Sequence, residues 1–149
     1  MMLLFFLFIY MVFTNLVYEK APTFKASSLD GPYEVDRVVD GDTFIIWENW
    51  ERTRVRMIGI DTPESVKDNP DRITEEGILA ANYTEQLLTG ADVYLEYDKE
   101  KYDKYDRLLA YVYIKDGEEY IFINKLLIDE GYAVPYVVKP NTRYEAMLK

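Results

Sequence analysis

Two of the residue types on which hydrolytic and metal sites are most often built are missing from this sequence. Its 149 residues include no cysteine and no histidine. Without cysteine there is no disulfide framework, no zinc–thiolate site and no thiol nucleophile. Without histidine, any general base or metal ligand must be a carboxylate, hydroxyl, carbonyl, lysine or tyrosine. Cations are also scarce: 17 Lys and Arg stand against 27 Asp and Glu, a net charge of −10. Only Glu19, Lys20, Lys25 and Asp30 fall before Gly31, so the excess of acid belongs to the remainder, with 15 basic and 25 acidic residues. Phosphate binding is driven mainly by Lys and Arg, so this balance is unfavourable to a polyanionic partner and favourable to solubility and cation binding. Internal repeats and low-complexity stretches are absent as well.

What is present is the composition of a globular chain: 49% apolar, 30% charged, with 14 tyrosines. The length suits one domain with a real core. One long apolar run occupies residues 1–18, almost wholly apolar from Met1 to Val17. It reads as a signal peptide or membrane anchor, although it lacks a basic leading region and lies at the short end of the roughly 17–25 residues needed to span a bilayer. Residues 19–32, with Pro22, Ser27, Ser28, Gly31 and Pro32, have no periodicity and read as a linker. Residues 33–149 form the expected domain.

Within that domain the pattern predicts strands at Tyr33–Val39 and Thr43–Trp47, split by the turn Asp40-Gly41-Asp42. A long third strand is expected over Arg52–Ile60, with Arg52, Arg54 and Arg56 on one face together with Ile58 and Ile60. Glu64 to Arg72 is polar and reads as a mobile loop. A helix over Thr74–Thr89 carries a stripe of Ala80, Tyr83 and Leu87 and stops at Gly90. Strands follow at Ala91–Tyr97 and Arg107–Ile114, then a helix at Asn124–Glu130, an extended Tyr132–Val138 and a helical tail opened by a Thr142-x-x-Glu145 capping box. The order is α+β, and five strands with a helix inserted after the third is a pattern that an OB-fold barrel can have.

Chemistry concentrates in two stretches. Val38-Val39-Asp40-Gly41-Asp42-Thr43 is followed by Arg56-Met57-Ile58-Gly59-Ile60-Asp61-Thr62-Pro63-Glu64. Asp42 and Asp61 are hard oxygen ligands of the kind that suits a hard divalent cation. An arginine and a spare carboxylate beside them complete a set for metal-assisted attack on a phosphate.

Four motifs in order, Val-Asp-Gly-Asp-Thr at 39–43, the stretch at 56–64, Asp-Lys-Tyr-Asp-Arg at 103–107 and Val-Val-Lys-Pro-Asn at 137–141, resemble the staphylococcal nuclease (thermonuclease) family. The resemblance covers roughly residues 33 to 149. It implies an OB-fold five-stranded barrel with about three helices and calcium-dependent hydrolysis of DNA and RNA phosphodiesters, single strands favoured, by a monomer. It further implies Asp42, Asp61 and the Thr62 carbonyl as ligands of Ca2+, and Arg56 and Arg107 on the scissile phosphate. Glu64 would orient or deprotonate the attacking water, and Lys104, Tyr105 and Tyr136 would line a nucleotide pocket. Such an enzyme, with residues 1–18 ahead of it, is expected to be secreted or anchored at the outer face of the cell membrane.

Two departures from the family pattern stand out. Asp106 replaces a glycine beside Arg107, and Val138 replaces a tyrosine near the nucleotide pocket. The competing class is a catalytically silent barrel that serves as a nucleic-acid or calcium-binding interaction module at the cell surface. Such a module would be expected to have lost several of Asp42, Asp61, Glu64, Arg56 and Arg107, and all five are present. The evident cleft cations, Arg56, Lys104, Arg107 and Lys139, predict a shallow salt dependence of binding, equivalent to about two to four phosphate contacts.

Overall fold

In a computed structural model of the chain, residues 29–65 and 72–149 are described. The hydrophobic segment at 1–18, most of the expected linker and the middle of the expected mobile loop lie outside these residues. Strands β1 (Asp30–Asp40), β2 (Thr43–Glu48) and β3 (Glu51–Met57) form an antiparallel meander. β5 (Val93–Glu96) joins the far edge of β1, and β6 (Leu108–Asp116) pairs with β5. β6 also runs parallel to β3, with Val55 opposite Leu108 and Met57 opposite Ala110. That last pairing closes five strands, β3-β2-β1-β5-β6, into a barrel and leaves β7 (Glu119–Phe122) as a hairpin partner of β6. The fold is the expected OB-type α+β barrel, with three helices among the described residues, α1 (Glu75–Leu88), α2 (Ile123–Asp129) and α3 (Glu145–Leu148).

The barrel interior follows from two-residue alternation. Phe44 and Ile46 of β2, Val55 and Met57 of β3, Val93 and Leu95 of β5, and Leu108, Ala110 and Val112 of β6 point inward and are buried. Buried Asn124 at the start of α2 accepts the Val112 N–H and donates to the Ile58 carbonyl, so the helix is tied to β6 and to the residue that follows β3. Among the described residues no buried side-chain nitrogen or oxygen lacks a hydrogen-bond partner.

Four local expectations are corrected. The long third strand is broken: β3 ends at Met57, and Ile60–Asp61 form a separate strand, β4, paired with β8 (Val134–Pro135). Gly59 makes the break at φ 79°, a left-handed conformation that costs glycine little. β1 begins three residues earlier than its β-branched pattern indicates. The Asp30 carboxylate accepts the hydroxyls of Tyr33 and Tyr97, and its backbone pairs with Leu95, so tertiary contacts recruit the end of the expected linker. β7 has no counterpart in the sequence reading, because its four residues run directly into α2. Finally, α3 has no capping box: Tyr144 precedes its first turn and its side chain does not cap it, and Thr142 contributes only its carbonyl, to the Glu145 N–H.

Helix α1 is placed by its first turn. The Thr74 hydroxyl caps the Gly77 N–H, and Glu75 and Glu76 sit where the helix dipole favours acids. Gly77 lies against the backbone of Glu64: a Cβ there would stand 2.1 Å from the Glu64 carbonyl oxygen. The Thr74 N–H donates to that same carbonyl. Further along, the buried Thr84 hydroxyl donates to the Gly41 carbonyl at 2.7 Å. One helix therefore sets the position of both the Asp40–Asp42 turn and the start of the Glu64 loop.

Candidate active site

The β1–β2 turn, the β3–β4 break and the segment after β4 meet at one end of the barrel. They open a cleft of about 900 Å³ lined by Asp40, Asp42, Arg54, Arg56, Asp61, Thr62, Glu64, Arg72 and Arg107, among others. Five residues expected to perform catalysis and metal binding (Asp42, Asp61, Glu64, Arg56 and Arg107) thus face one space, with Thr62 beside them.

Asp42 is buried and well anchored. One carboxylate oxygen accepts the Thr62 N–H at 2.9 Å and the Thr62 hydroxyl at 3.2 Å, and the other accepts the Thr43 hydroxyl. Arg56 is enclosed by acceptors: one terminal nitrogen donates to the carbonyls of Met57 and Ile60, and the other lies 3.2 Å from Asp42 and 3.0 Å from Asp61. Arg56 therefore bridges the strand break and also holds the two acids to one nitrogen. The family resemblance implies a phosphate contact for this arginine; in the structure it is also an ion-pair partner of both acids.

Four carboxylates crowd the cleft. Burial and the charge of Asp42 push the Asp61 carboxyl above its ordinary range, against the opposing pull of Arg56. Asp40 is likewise raised, by burial first, with the Ser65 hydroxyl and Gly41 N–H opposing and the charges of Asp42 and Glu64 adding to the rise. Converging hard oxygens under mutual repulsion are a setting into which a divalent cation fits. Among the described residues no group of three or more Asp, Glu, His or Cys is arranged to hold a metal. The expected donors, Asp42, Asp61 and the Thr62 carbonyl, number only two carboxylates, a set that would suit a cation accepting carbonyls and water.

Arg107 is held by Asp103. The Asp103 carboxylate accepts the N–H groups of Tyr105 and Arg107 with one oxygen and the Arg107 Nε–H at 2.7 Å with the other. Burial would raise this carboxyl, but the hydrogen bonds from Arg107 and Tyr105 outweigh it and keep Asp103 below its usual range. Because Asp103 engages Nε, the terminal N–H groups of Arg107 make no hydrogen bond to the described residues. Asp106, in the position where the resembling family has glycine, adopts φ 58°, a left-handed conformation that aspartate tolerates better than most residues.

A second cavity, about 580 Å³, adjoins the first and shares Arg56 and Arg107 with it. Lys104, Tyr105 and Tyr136 line it, with Tyr102, Val138 and Asn141. The Lys104 amine lies 5.0 Å from the Tyr105 ring centroid, and the Arg107 guanidinium 5.5 Å. Buried Asn141 exchanges two hydrogen bonds with the Glu100 backbone and so moors the loop that carries Lys104, Tyr105 and Arg107.

Sequence reasoning missed Arg54 and Arg72 as cleft cations. Arg54 was visible only as the middle of an arginine alternation, and nothing local distinguished Arg72. Lys139, expected among the cleft cations, lines neither cavity.

Comparison with known proteins bears on this geometry. The family described as "Staphylococcal nuclease homologue" matches residues 54–149. The chain is 44% identical over 129 residues to the thermonuclease of Staphylococcus intermedius, covering 85% of this chain and 74% of that protein. It is 39% identical over 135 residues to the thermonuclease of Staphylococcus hyicus, covering 88% and 76%. It is 40% identical over 112 residues to endonuclease YncB of Bacillus subtilis, covering 74% of this chain and about half, 51%, of that protein.

Proposed function

The chain belongs to the staphylococcal nuclease family and is a nuclease, and from that premise we propose that it hydrolyses single-stranded DNA or RNA as a calcium-dependent monomeric enzyme. One observation carries the reading: Asp42, Asp61, Glu64, Arg56 and Arg107 all open onto the same cleft. Asp42, Asp61 and the Thr62 carbonyl would hold the ion, which when bound supplies a Lewis acid for the phosphoryl oxygen.

The remaining roles belong to the chain itself. Arg107 presents its terminal N–H groups to two phosphate oxygens as a planar fork, and Arg56, which lines both cavities with it, adds charge. Glu64, on the exposed segment after Pro63, takes the proton of the attacking water as the oxygen bonds to phosphorus and the ester oxygen departs. A carboxylate in this role is consistent with a chain that has no histidine. Tyr105 and Tyr136 offer ring faces to the nucleotide on the second-cavity side.

Activity is expected with calcium, with little or none in zinc, and is expected to vanish on chelation. An Asp42→Ala, Asp61→Ala double variant should lose at least about a hundredfold in rate, the scale of removing a main electrostatic contributor. It should also lose calcium binding in a calorimetric titration. Cleavage that persists in chelator, or undiminished in the double variant, would sink the metal assignment.

The apolar residues 1–18 support a second element of the reading, that the enzyme acts outside the cytoplasm, exported or tethered to the membrane. Fractionation of cells that make the full-length chain should place it in the membrane or the medium. Recovery wholly from the cytosol would count against export.

A further inference from the structure

The cation deficit of this chain is not spread evenly over the barrel. Of its seven arginines, Arg37, Arg52, Arg54 and Arg56 stand on two strands of one sheet, β1 and β3. β2 runs between them. In register, Arg37 and Arg54 both lie opposite Ile45, Arg52 lies opposite Trp47, and Arg56 lies opposite Thr43. Partners in register share a face, and every second residue along a strand returns to it. Arg56, Arg54 and Arg52 therefore step away from the cleft at about 7 Å per arginine, with Arg37 about 10 Å to one side of Arg54. The opposite face of the same strands carries Phe44, Ile46, Val55 and Met57 into the core.

This is the solvent-facing side. Arg37, Arg52 and Arg54 are exposed, yet Ile45 between them is only 6% exposed, as expected if arginine stems cover it. Arg54 already lines the cleft. Arg52 stacks its guanidinium 4.9 Å from the Trp47 centroid and pairs with Asp36 through Nε at 3.3 Å. Beyond it the row turns acidic at exposed Glu34, and the β2–β3 turn presents Trp50, 96% exposed, between Glu48 and Glu51. Cationic contacts thus run from the cleft to Arg52 and give way to indole rings.

We propose that this outer face of β1–β2–β3 is a second binding surface, continuous with the cleft, for a single-stranded polynucleotide. It rests on the nuclease reading and extends it: Arg54, Arg37 and Arg52 hold successive phosphates of the strand that leaves the scissile position, and Trp47 and Trp50 offer ring faces to its bases. Charge complementarity and continuity with the cleft favour this occupant. The β2–β3 side is also the face on which OB barrels in general carry oligonucleotides. The surface raises the expected number of phosphate contacts from the two to four read in the sequence to about five to seven.

The two tryptophans of the chain, Trp47 and Trp50, both lie here, so emission excited at the red edge, where tyrosine does not absorb, reports on this surface. In chelator, an oligo-dT of about twenty nucleotides should change the emission saturably, whereas a dinucleotide confined to the cleft should not. With calcium restored, an Arg37→Ala, Arg52→Ala, Arg54→Ala variant should lose at least about tenfold more kcat/KM on the long strand than on the dinucleotide. Its salt slope for the long strand should fall by about 2, at about 0.7 per lost contact. The corresponding triple lysine variant keeps the charge and should recover most of the long-strand affinity, which separates a binding loss from a folding defect. Equal losses on both substrates, or emission that answers to phosphatidylserine vesicles and not to oligo-dT, would overturn the proposal. If the unaltered protein cleaves neither substrate, the nuclease reading fails, and the chelator titration still decides whether the surface binds a strand.

Discussion

Replacing Arg107 by lysine is expected to lower kcat by about three orders of magnitude while changing KM by only a few-fold, the scale seen when a preorganised donor to a developing anion is removed. Geometry makes Arg107 the cleaner of the two arginines to test. Arg56 also bonds the Met57 and Ile60 carbonyls and both acids, so a change there disturbs the strand break and the carboxylate pair together. Among the described residues the Arg107 side chain is hydrogen-bonded through Nε alone, to Asp103, which also accepts the backbone N–H groups of Arg107 and Tyr105. Lysine keeps the charge but offers neither the Nε anchor nor a planar pair of N–H groups for two phosphate oxygens. Steady-state kinetics on a short oligonucleotide decides the matter. A loss confined to KM would mean that Arg107 binds substrate without stabilising the transition state.

The second large effect concerns stability. Glu96, at the end of β5, accepts the hydroxyls of Tyr113 and Tyr144 and pairs with Arg143 at 2.7 Å. Its side chain is largely buried, and burial together with these bonds pushes the Tyr113 and Tyr144 hydroxyls well above their ordinary range. Beside it Asp98 accepts the Tyr111 hydroxyl and the Arg143 N–H, so the two acids clamp the C-terminal segment to the barrel. Glu96→Ala removes the buried carboxylate that two tyrosine hydroxyls and Arg143 share and is expected to cost about 3 kcal/mol, discounted for the exposure of Arg143. For a domain of this size that lowers Tm by roughly 10 °C. A loss under about 1 kcal/mol in urea unfolding would show that water replaces the carboxylate. Neutral Tyr113 is favoured in the folded state, so its contribution is full below the unfolded tyrosine value of about 10 and declines as pH rises beyond it.

Much of this protein is local in origin and therefore legible in one dimension. Alternation in Thr43–Trp47 and around Leu108–Ile114, the Thr74 cap and the turn at Asp40–Asp42 each depend on neighbours a few residues away. The chemical kit is also set by the sequence: with no histidine or cysteine, only carboxylates, hydroxyls, carbonyls, lysines and tyrosines were available for a base or metal ligand, and the spacing of Asp42, Asp61, Arg56 and Glu64 already marked them. The tertiary structure decided everything that depends on pairing across the chain. The parallel contact of β3 with β6 closes the barrel, and β4 exists only because Val134–Pro135 lies beside it. Asn141 moors a loop forty-one residues away, and position 77 must be glycine because the Glu64 carbonyl lies where a Cβ would stand. The same holds for charge. Arg37 and Arg54 are seventeen positions apart in the chain and become neighbours across Ile45 through strand register alone. Periodicity states which residues share a face of their own strand, whereas the identity of the strand beside it is settled by non-local burial, which no stretch of sequence contains by itself.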